Sequence, residues 1–561
     1  QPIYDFIEGR GESNFMLTNS NQSPEAHVFS ISARKFFDNG WDILAGYAYT
    51  DAEDVSPMTS SVAGSNFGNL ALTDIVEPRA ATIGCAGFFG MPIEFVPVGQ
   101  TEGVGHCPAL IAPTHVVGEG LSTEGPSDMQ IGTRRLSRRR ARRAWKNFKQ
   151  AAVTSFAFVE TMGLGFAGKL ASDSFGWSRP TARPGKDAVD RRLRAALAPD
   201  PRLGSCGHRQ VGLSFDDQVS LATGLLTSLS LGRQPARLIL LAGHASSTVN
   251  NPHAAGLDCG ACGGQSGEAN ARLAARLLND PAVRAALAAG GQTLPADTVF
   301  VAGLHDTTTD ALCLFDTAAL PASHATDLAH LQDCLVAAGR LTRSERALRF
   351  RLSESDDIDA ALVGRSRDWS QVRPEWGLAG CGAFLIAPRR HSVGRDLGGQ
   401  CFLHSYDWQA DTGFALLEQI MTAPMVVTSW INLQYYAATV DHRHFGAGDK
   451  VLHNIVAGLG VVEGNGGDLR PGLPWQSLHD GERLMHEPVR LSVIIEAPTA
   501  AIQAVIDRHP PLARLLDHGW LHLFVMNDAG QVAERYAGHG TWLPVAAIDG
   551  RITDEAAELV A

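Results

Sequence analysis

The sequence predicts an α/β fold: a parallel-sheet core with helices on both faces, preceded by a short β-hairpin. Three stretches carry this reading. "ARLILLAGH" (236–244) is a continuous apolar run ending in Gly, the form of a strand buried in a parallel sheet. "SGEANARLAARLLNDPAVRAALAAG" then places Leu273, Leu277 and Leu278 at helical spacing, with Asp280-Pro281 as a break. "DTVFVAGLHDTTTDAL" repeats the first form, an apolar run followed by Gly303, His305 and Asp306. Strand, helix, strand in this order is a βαβ unit, whose crossover is right-handed in nearly all cases. His244 and His305 then both emerge at the carboxyl ends of parallel strands, where open α/β sheets place their ligand sites.

Taken in chain order, "HVFSISARKFFDNGWDILAGYAYTDAEDV" reads as two extended runs joined by an Asp38-Asn39-Gly40 turn. Its second arm sets Trp41, Ile43, Ala45, Tyr47 and Tyr49 on one face, a period of two shared by soluble hairpins and by outer-membrane barrel strands. "GYAYTDAEDVSPMTSSVAGSNFGNLALTDIVEP" resembles late barrel strands of TonB-dependent outer-membrane receptors. Two strands cannot close a barrel, so residues 1–81 are expected to be a foreign graft without a function of their own. The start on Gln1 rather than Met is expected to mark a fragment. From Ile83 the style becomes α/β, with "MPIEFVPVG" as a short strand. "RRLSRRRARRAWKNFKQ" (134–150) is a dense basic, helix-like run. Its arginines, with Trp145 and Phe148, suit an anionic lipid surface, nucleic acid or a solvated helix face. "PTARPGKDAVDRRLRAALAPDPRLGS" reads as a surface connection containing a helix. "TAPMVVTSWINLQYYAATV" (422–440) is too polar at Asn432 and Gln434 to span a bilayer and reads as a buried helix or a partner interface.

The length of 561 residues suggests several domains, here divided as 1–81, 82–345 and 346–561. With 45% hydrophobic and 19% charged residues, a large core is within reach. A net charge of -12 and a pI near 5.9 argue against nucleic acid as the main partner. Nine scattered cysteines fit reduced thiols better than a disulfide framework. No apolar run reaches the ~18 residues of a membrane-spanning helix.

The chemistry concentrates in "LILLAGHASSTVNNPHAAGLDCGACGG" (238–264). Cys259 and Cys262 have the knuckle spacing of structural zinc, and His244 and His253 could complete a Cys₂His₂ set. Against this, the fifteen-residue step from His244 to Cys259 follows no finger pattern. A C-x-x-C pair also serves redox chemistry, and one His and one Cys can be packed without any metal. Spacing alone leaves these alternatives open.

This loop, "LHDTTTD", and the long blocks "HSYDWQADTGFALLEQIMTAPMVVTSWINLQYYAATVDHRHFGAGDKVLHN" and "VVEGNGGDLRPGLPWQSLHDGERLMHEPVRLSVIIEAP" resemble the DabA family of inorganic-carbon transporter subunits, from about Ile83 to about Pro498. The resemblance implies a β-carbonic-anhydrase-like core and a zinc ion held by two cysteines, an aspartate and a histidine. It further implies a DabB-like integral-membrane, proton-channelling partner and a peripheral place on the cytoplasmic face of the inner membrane. Carbon dioxide would be converted vectorially to bicarbonate. Carried over, His244 and Cys259 are zinc ligands, whereas His253 and Cys262 are not. No residue is assigned as catalytic base; His305 and Asp306 either line the pocket or anchor the loop. The family's Gly after the ligand His is Ala245 here, which would be strained in a left-handed conformation. The family's other ligands lie in a Cys-x-Asp-x-Arg element upstream of "IGCAGFFGMPIEF", and no cysteine of this chain is followed two residues later by Asp. Cys85 has no spacing that makes it a substitute. Two functions follow: a zinc-binding carbon-uptake subunit, inactive alone, or a metal-deficient scaffold for the membrane partner. An outer-membrane receptor, the third reading, rests on residues 1–81 only.

Overall fold

The computed structural model describes residues 25–36, 42–53, 76 and most of 80–545, apart from 85–90, 109–110, 122–127, 152, 176–195, 207–208, 230, 232–234, 249–263, 353–356, 369–377, 396 and 457–459. The expected hairpin is present as strands β1 (Glu25–Phe36) and β2 (Asp42–Glu53), antiparallel with Phe36 opposite Asp42; its turn lies outside the described residues.

The α/β class holds, but the described strands form several mixed sheets rather than one parallel sheet. One has the order β4 (Val104–His106), β3 (Ile93–Val96), β5 (His115–Leu121), β6 (Leu197–Asp200), with only β3 and β5 parallel. β3 is the strand read from "MPIEFVPVG". Strands β7 (Gly204–Cys206) and β8 (Arg209–Val211) make a small ladder. Helices α1 (Asp128–Gln150), α2 (Thr154–Met162) and α3 (Phe166–Ser174) come between β5 and β6, and α1 is the helix expected from the basic run. Helix α4 (Phe215–Ser228) opens on a capping box: Ser214 Oγ accepts from Asp217 N, and Ser214 N donates to the Asp217 carboxylate.

The expected βαβ unit is realised by β9 (Leu238–Ala245), α5 (Glu268–Asn279), α6 (Pro281–Ala289) and β10 (Val299–Asp306). β9 and β10 are parallel, and β11 (Ala311–Phe315) pairs antiparallel with β10. The Asp280-Pro281 break is a helix-to-helix joint. Asp280 caps α6 through the backbone N–H groups of Ala282 and Val283, and Pro281 occupies a first-turn position that needs no N–H. Leu273, Leu277 and Leu278 pack with Leu241 and Phe300 of this sheet, and with Ile93 and Val117 of the four-stranded one. One apolar cluster therefore serves both sheets. β9 has one strand neighbour among the described residues, and Ala242 is exposed, so the run read as a fully buried strand lies at a sheet edge.

Helices α7 (Ala325–Arg349) and α8 (Ile358–Arg367) lead to the largest sheet. Its order is β13 (Cys401–Ser405), β12 (Ala383–Ala387), β16 (Ser492–Glu496), β17 (His522–Met526), β18 (Val532–Tyr536), β19 (Trp542–Pro544). The first four strands are parallel. Helices α9 (Ala415–Thr422), α12 (Thr499–Arg508) and α13 (Pro510–Asp517) supply Leu417, Ile420, Ile502, Ile506 and Leu512 to its core. The aromatic stretch at 422–440 is α10 (Pro424–Val440), with Met425, Ile431 and Tyr435 buried, and α11 (His442–Phe445) follows. Strands β14 (His453–Val456) and β15 (Gly460–Glu463) form a separate ladder. The segment at 82–84 lies beside β13: Gly84 N donates to Ser405 Oγ, and Ser405 N to the Gly84 carbonyl.

Two histidines of this second half are held neutral by burial, His404 and His486, each pushed down to about 4. The unfolded chain takes up these protons near ~6.5, so stability should be full above that value and lost as pH falls towards about 4. His486→Phe is expected to flatten the acid-side dependence by about one proton, read from urea midpoints against pH. An unchanged slope would show that His486 does not titrate this way.

Candidate functional site

The site is built where β9 ends. In the parallel register His305 stands beside His244, and Asp306 beside Ala245, so both loop histidines do emerge at one sheet edge. Nδ1 of His244 is buried and has no hydrogen-bond partner among the described residues. Such an atom costs free energy unless something else meets it.

The return of the loop is fixed by two glycines. Gly267 N donates to the His244 carbonyl at 2.9 Å. A Cβ at Gly243 would lie 2.5 Å from the Gly267 carbonyl oxygen, and one at Gly267 would lie 2.9 Å from His244 N. Only backbone fits between them. The chain that leaves His244 thus comes back against it just before α5 begins. Ala245 is extended and accepts from Thr307 N, so the strain expected there from a missing glycine does not arise. Cys259, Cys262, His253 and Cys85 lie outside the described residues. Among the described residues no three His, Cys, Asp or Glu side chains gather closely enough to hold a metal ion.

The neighbouring strand end is an anchored loop. Asp306 accepts from Ser247 Oγ (2.6 Å) and Thr308 N (3.0 Å), and Ser247 N donates to Thr308 Oγ1. Asp306 therefore ties the His244 loop to the "TTTD" turn. His305 is buried, with Nε2 3.3 Å from Asp310 Oδ1. Burial would raise the Asp310 carboxyl, but the Arg346 guanidinium and His305 beside it hold it below the usual carboxylate range. Arg343 and Arg346 of α7 also donate to the carbonyls of Thr309 and Thr308. Gly339 lets the helix approach, because a Cβ there would meet the Asp310 carbonyl at 2.5 Å.

A third element reaches the loop from the other sheet. His106 Nδ1 donates to the Ser266 carbonyl at 3.0 Å, and Asn270 donates to the carbonyls of Met91 and His106. Glu268, in the first turn of α5, is raised by desolvation against the pull of Arg272. Arg272 in turn makes a two-pronged pair with Asp316. The sequence points to none of His106, Asn270, Arg343 or Arg346, because each acts on a partner far away in the chain.

A family model described as "Probable inorganic carbon transporter subunit DabA" matches residues 74–521. Relatives carrying that description include one from Roseiflexus sp. strain RS-1, 52% identical over 474 residues, which are 84% of this chain and 56% of that protein. One from Chloroflexus aurantiacus is 53% identical over the same length and shares. One from Bradyrhizobium sp. strain BTAi1 is 54% identical over 462 residues, 82% of this chain and 55% of that protein. The chain thus spans about half the length of the curated relatives it matches. No solved structure matches it.

Gly243→Ala should cost about 1–3 kcal/mol, as overpacking against fixed backbone does. Urea unfolding of the variant beside the native chain measures this, and equal stability would show that the two glycines do not touch.

Proposed function

The chain belongs to the DabA family of probable inorganic carbon transporter subunits, and from that premise we propose that it forms the metal-binding half of an inorganic-carbon uptake subunit. In this reading the substrates are carbon dioxide and bicarbonate. The subunit works at the cytoplasmic face of the inner membrane, as a peripheral protein on a DabB-like integral-membrane partner, and its core is β-carbonic-anhydrase-like.

One observation carries the reading: a buried imidazole nitrogen on His244, without a hydrogen-bond partner among the described residues, at the carboxyl end of a parallel strand. Nδ1 is a donor atom of the kind zinc takes, and the donor set His244 plus Cys259 suits zinc chemically. A zinc ion there supplies Lewis acidity that draws the pKa of water towards ~7. The residues of this chain have preparatory roles. Gly243 and Gly267 fix the histidine's backbone, and Ser247, Asp306 and Thr308 hold the outgoing loop. His305 is engaged with Asp310, which favours an anchoring role for it over proton transfer.

Two ligands from one loop hold zinc weakly, and no Cys-x-Asp pair occurs in the sequence to complete the set. That absence favours a second reading, a metal-deficient scaffold that docks the membrane partner without catalysis. In either case the isolated chain should not hydrate carbon dioxide. Residues 1–73 precede the family match and are assigned no part in this function.

The purified chain is expected to retain well under one zinc per molecule after dialysis and to leave carbon dioxide hydration at its uncatalysed rate. Elemental analysis and a stopped-flow pH-indicator assay check both. Tightly held, stoichiometric zinc with catalysis would overturn the half-site reading, and co-purification with the membrane partner without zinc would favour the scaffold.

A further inference from the structure

Helix α1 is fixed to the body at its start. Arg135 is buried, pairs with Glu119 and donates to the Val98 carbonyl, while Ile131 packs with Val98 and Leu197. Beyond that point every residue from 136 to 145 is exposed. This exposed part carries Arg138, Arg139, Arg140, Arg142 and Arg143 in a chain whose net charge is -12. The chain then turns by 95° into α2 and α3, and Phe158 packs on Trp145 and Phe148 to hold the corner.

The segment 153–175 exposes large apolar side chains beside Glu160 and Lys169. Phe156 is 77% and Leu164 94% exposed, and Val153, Val159 and Phe175 are exposed with them. The two helices follow one another through the turn Gly163–Gly165, and no single helix among the described residues is long and apolar enough to cross a membrane. Their composition suits a place in the interface, with the apolar face at the headgroup–acyl boundary and basic residues beside it.

We propose that the arm 128–175 is a membrane-surface anchor for anionic lipid: the apolar side chains of α2 and α3 enter the headgroup region, and the arginines of α1 engage headgroup phosphates. Charge complementarity selects this occupant. In a chain of net charge -12 a basic helix is a surface that an anionic bilayer attracts, so the arm would both bind and orient the molecule. Nucleic acid would use the arginines but leave the apolar helices in water. The proposal rests on the membrane location proposed above and names the surface responsible for it; it does not depend on the zinc half-site.

The test is flotation of the purified full chain with vesicles of phosphatidylcholine alone and of equal parts phosphatidylcholine and phosphatidylglycerol. Binding to the anionic vesicles is expected to be at least about ten-fold stronger and to weaken in high salt. Replacing Arg138, Arg140 and Arg143 by Gln should weaken it by at least about ten-fold. Phe156→Ser combined with Leu164→Ser should do the same, since burying one such side chain is worth that much. Val153→Ser is a second apolar variant, and thermal melts should match the native chain because all these residues are exposed. Equal binding to both vesicles, no binding, or binding untouched by the variants would overturn the proposal. Capture by the integral-membrane partner in detergent without vesicle binding would assign the surface to protein and overturn it too. Fractionation of the native chain with membranes that contain the partner tests the location itself, so the two can fail separately.

Discussion

The site depends on one contact between two backbones. At Gly243 and Gly267 the strand leading to His244 and the chain entering α5 approach more closely than any Cβ allows. The Gly267 N–H closes on the His244 carbonyl. Everything between these points is tied off at both ends whatever path it follows. From this contact come the position of the imidazole, the direction of α5, and the placing of Ser266 where His106 reaches it. A side chain at either glycine would push the loop off the sheet edge, and His244 with it.

Around that contact the protein spends its polar groups on holding loops rather than on chemistry. Asp306 is engaged with Ser247 and Thr308, Asp310 with Arg346, and Arg272 with Asp316. Buried, fully partnered networks of this kind rigidify a site. Against them His244 Nδ1 is buried with no hydrogen-bond partner among the described residues.

Much of this was legible in the sequence, and the reason is local periodicity. The apolar runs at 238–243 and 299–304, the leucines of α5 and the Asp280-Pro281 break each report on their own segment, and the structure realises them as the βαβ unit. The Asp38-Asn39-Gly40 signal likewise predicted the pairing of β1 with β2. The division of the core into several mixed sheets was not legible, because strand order depends on contacts between segments scores of residues apart. The same holds for the arginines of α7 beneath the "TTTD" turn, and for His106, a plain histidine in a short strand until the fold brings Ser266 beside it. The strain expected at Ala245 did not arise because Ala245 is the extended last residue of β9 and not left-handed.

The central claim is that the loop at 238–264 contributes one histidine and one thiolate, half of a zinc site. X-ray absorption of zinc added to saturation on the purified chain counts sulfur ligands directly. The expected result is a single sulfur near ~2.3 Å, abolished by Cys259→Ser and indifferent to Cys262→Ser. Two sulfurs, lost one at a time with either substitution, would mean a self-contained site and would contradict the claim.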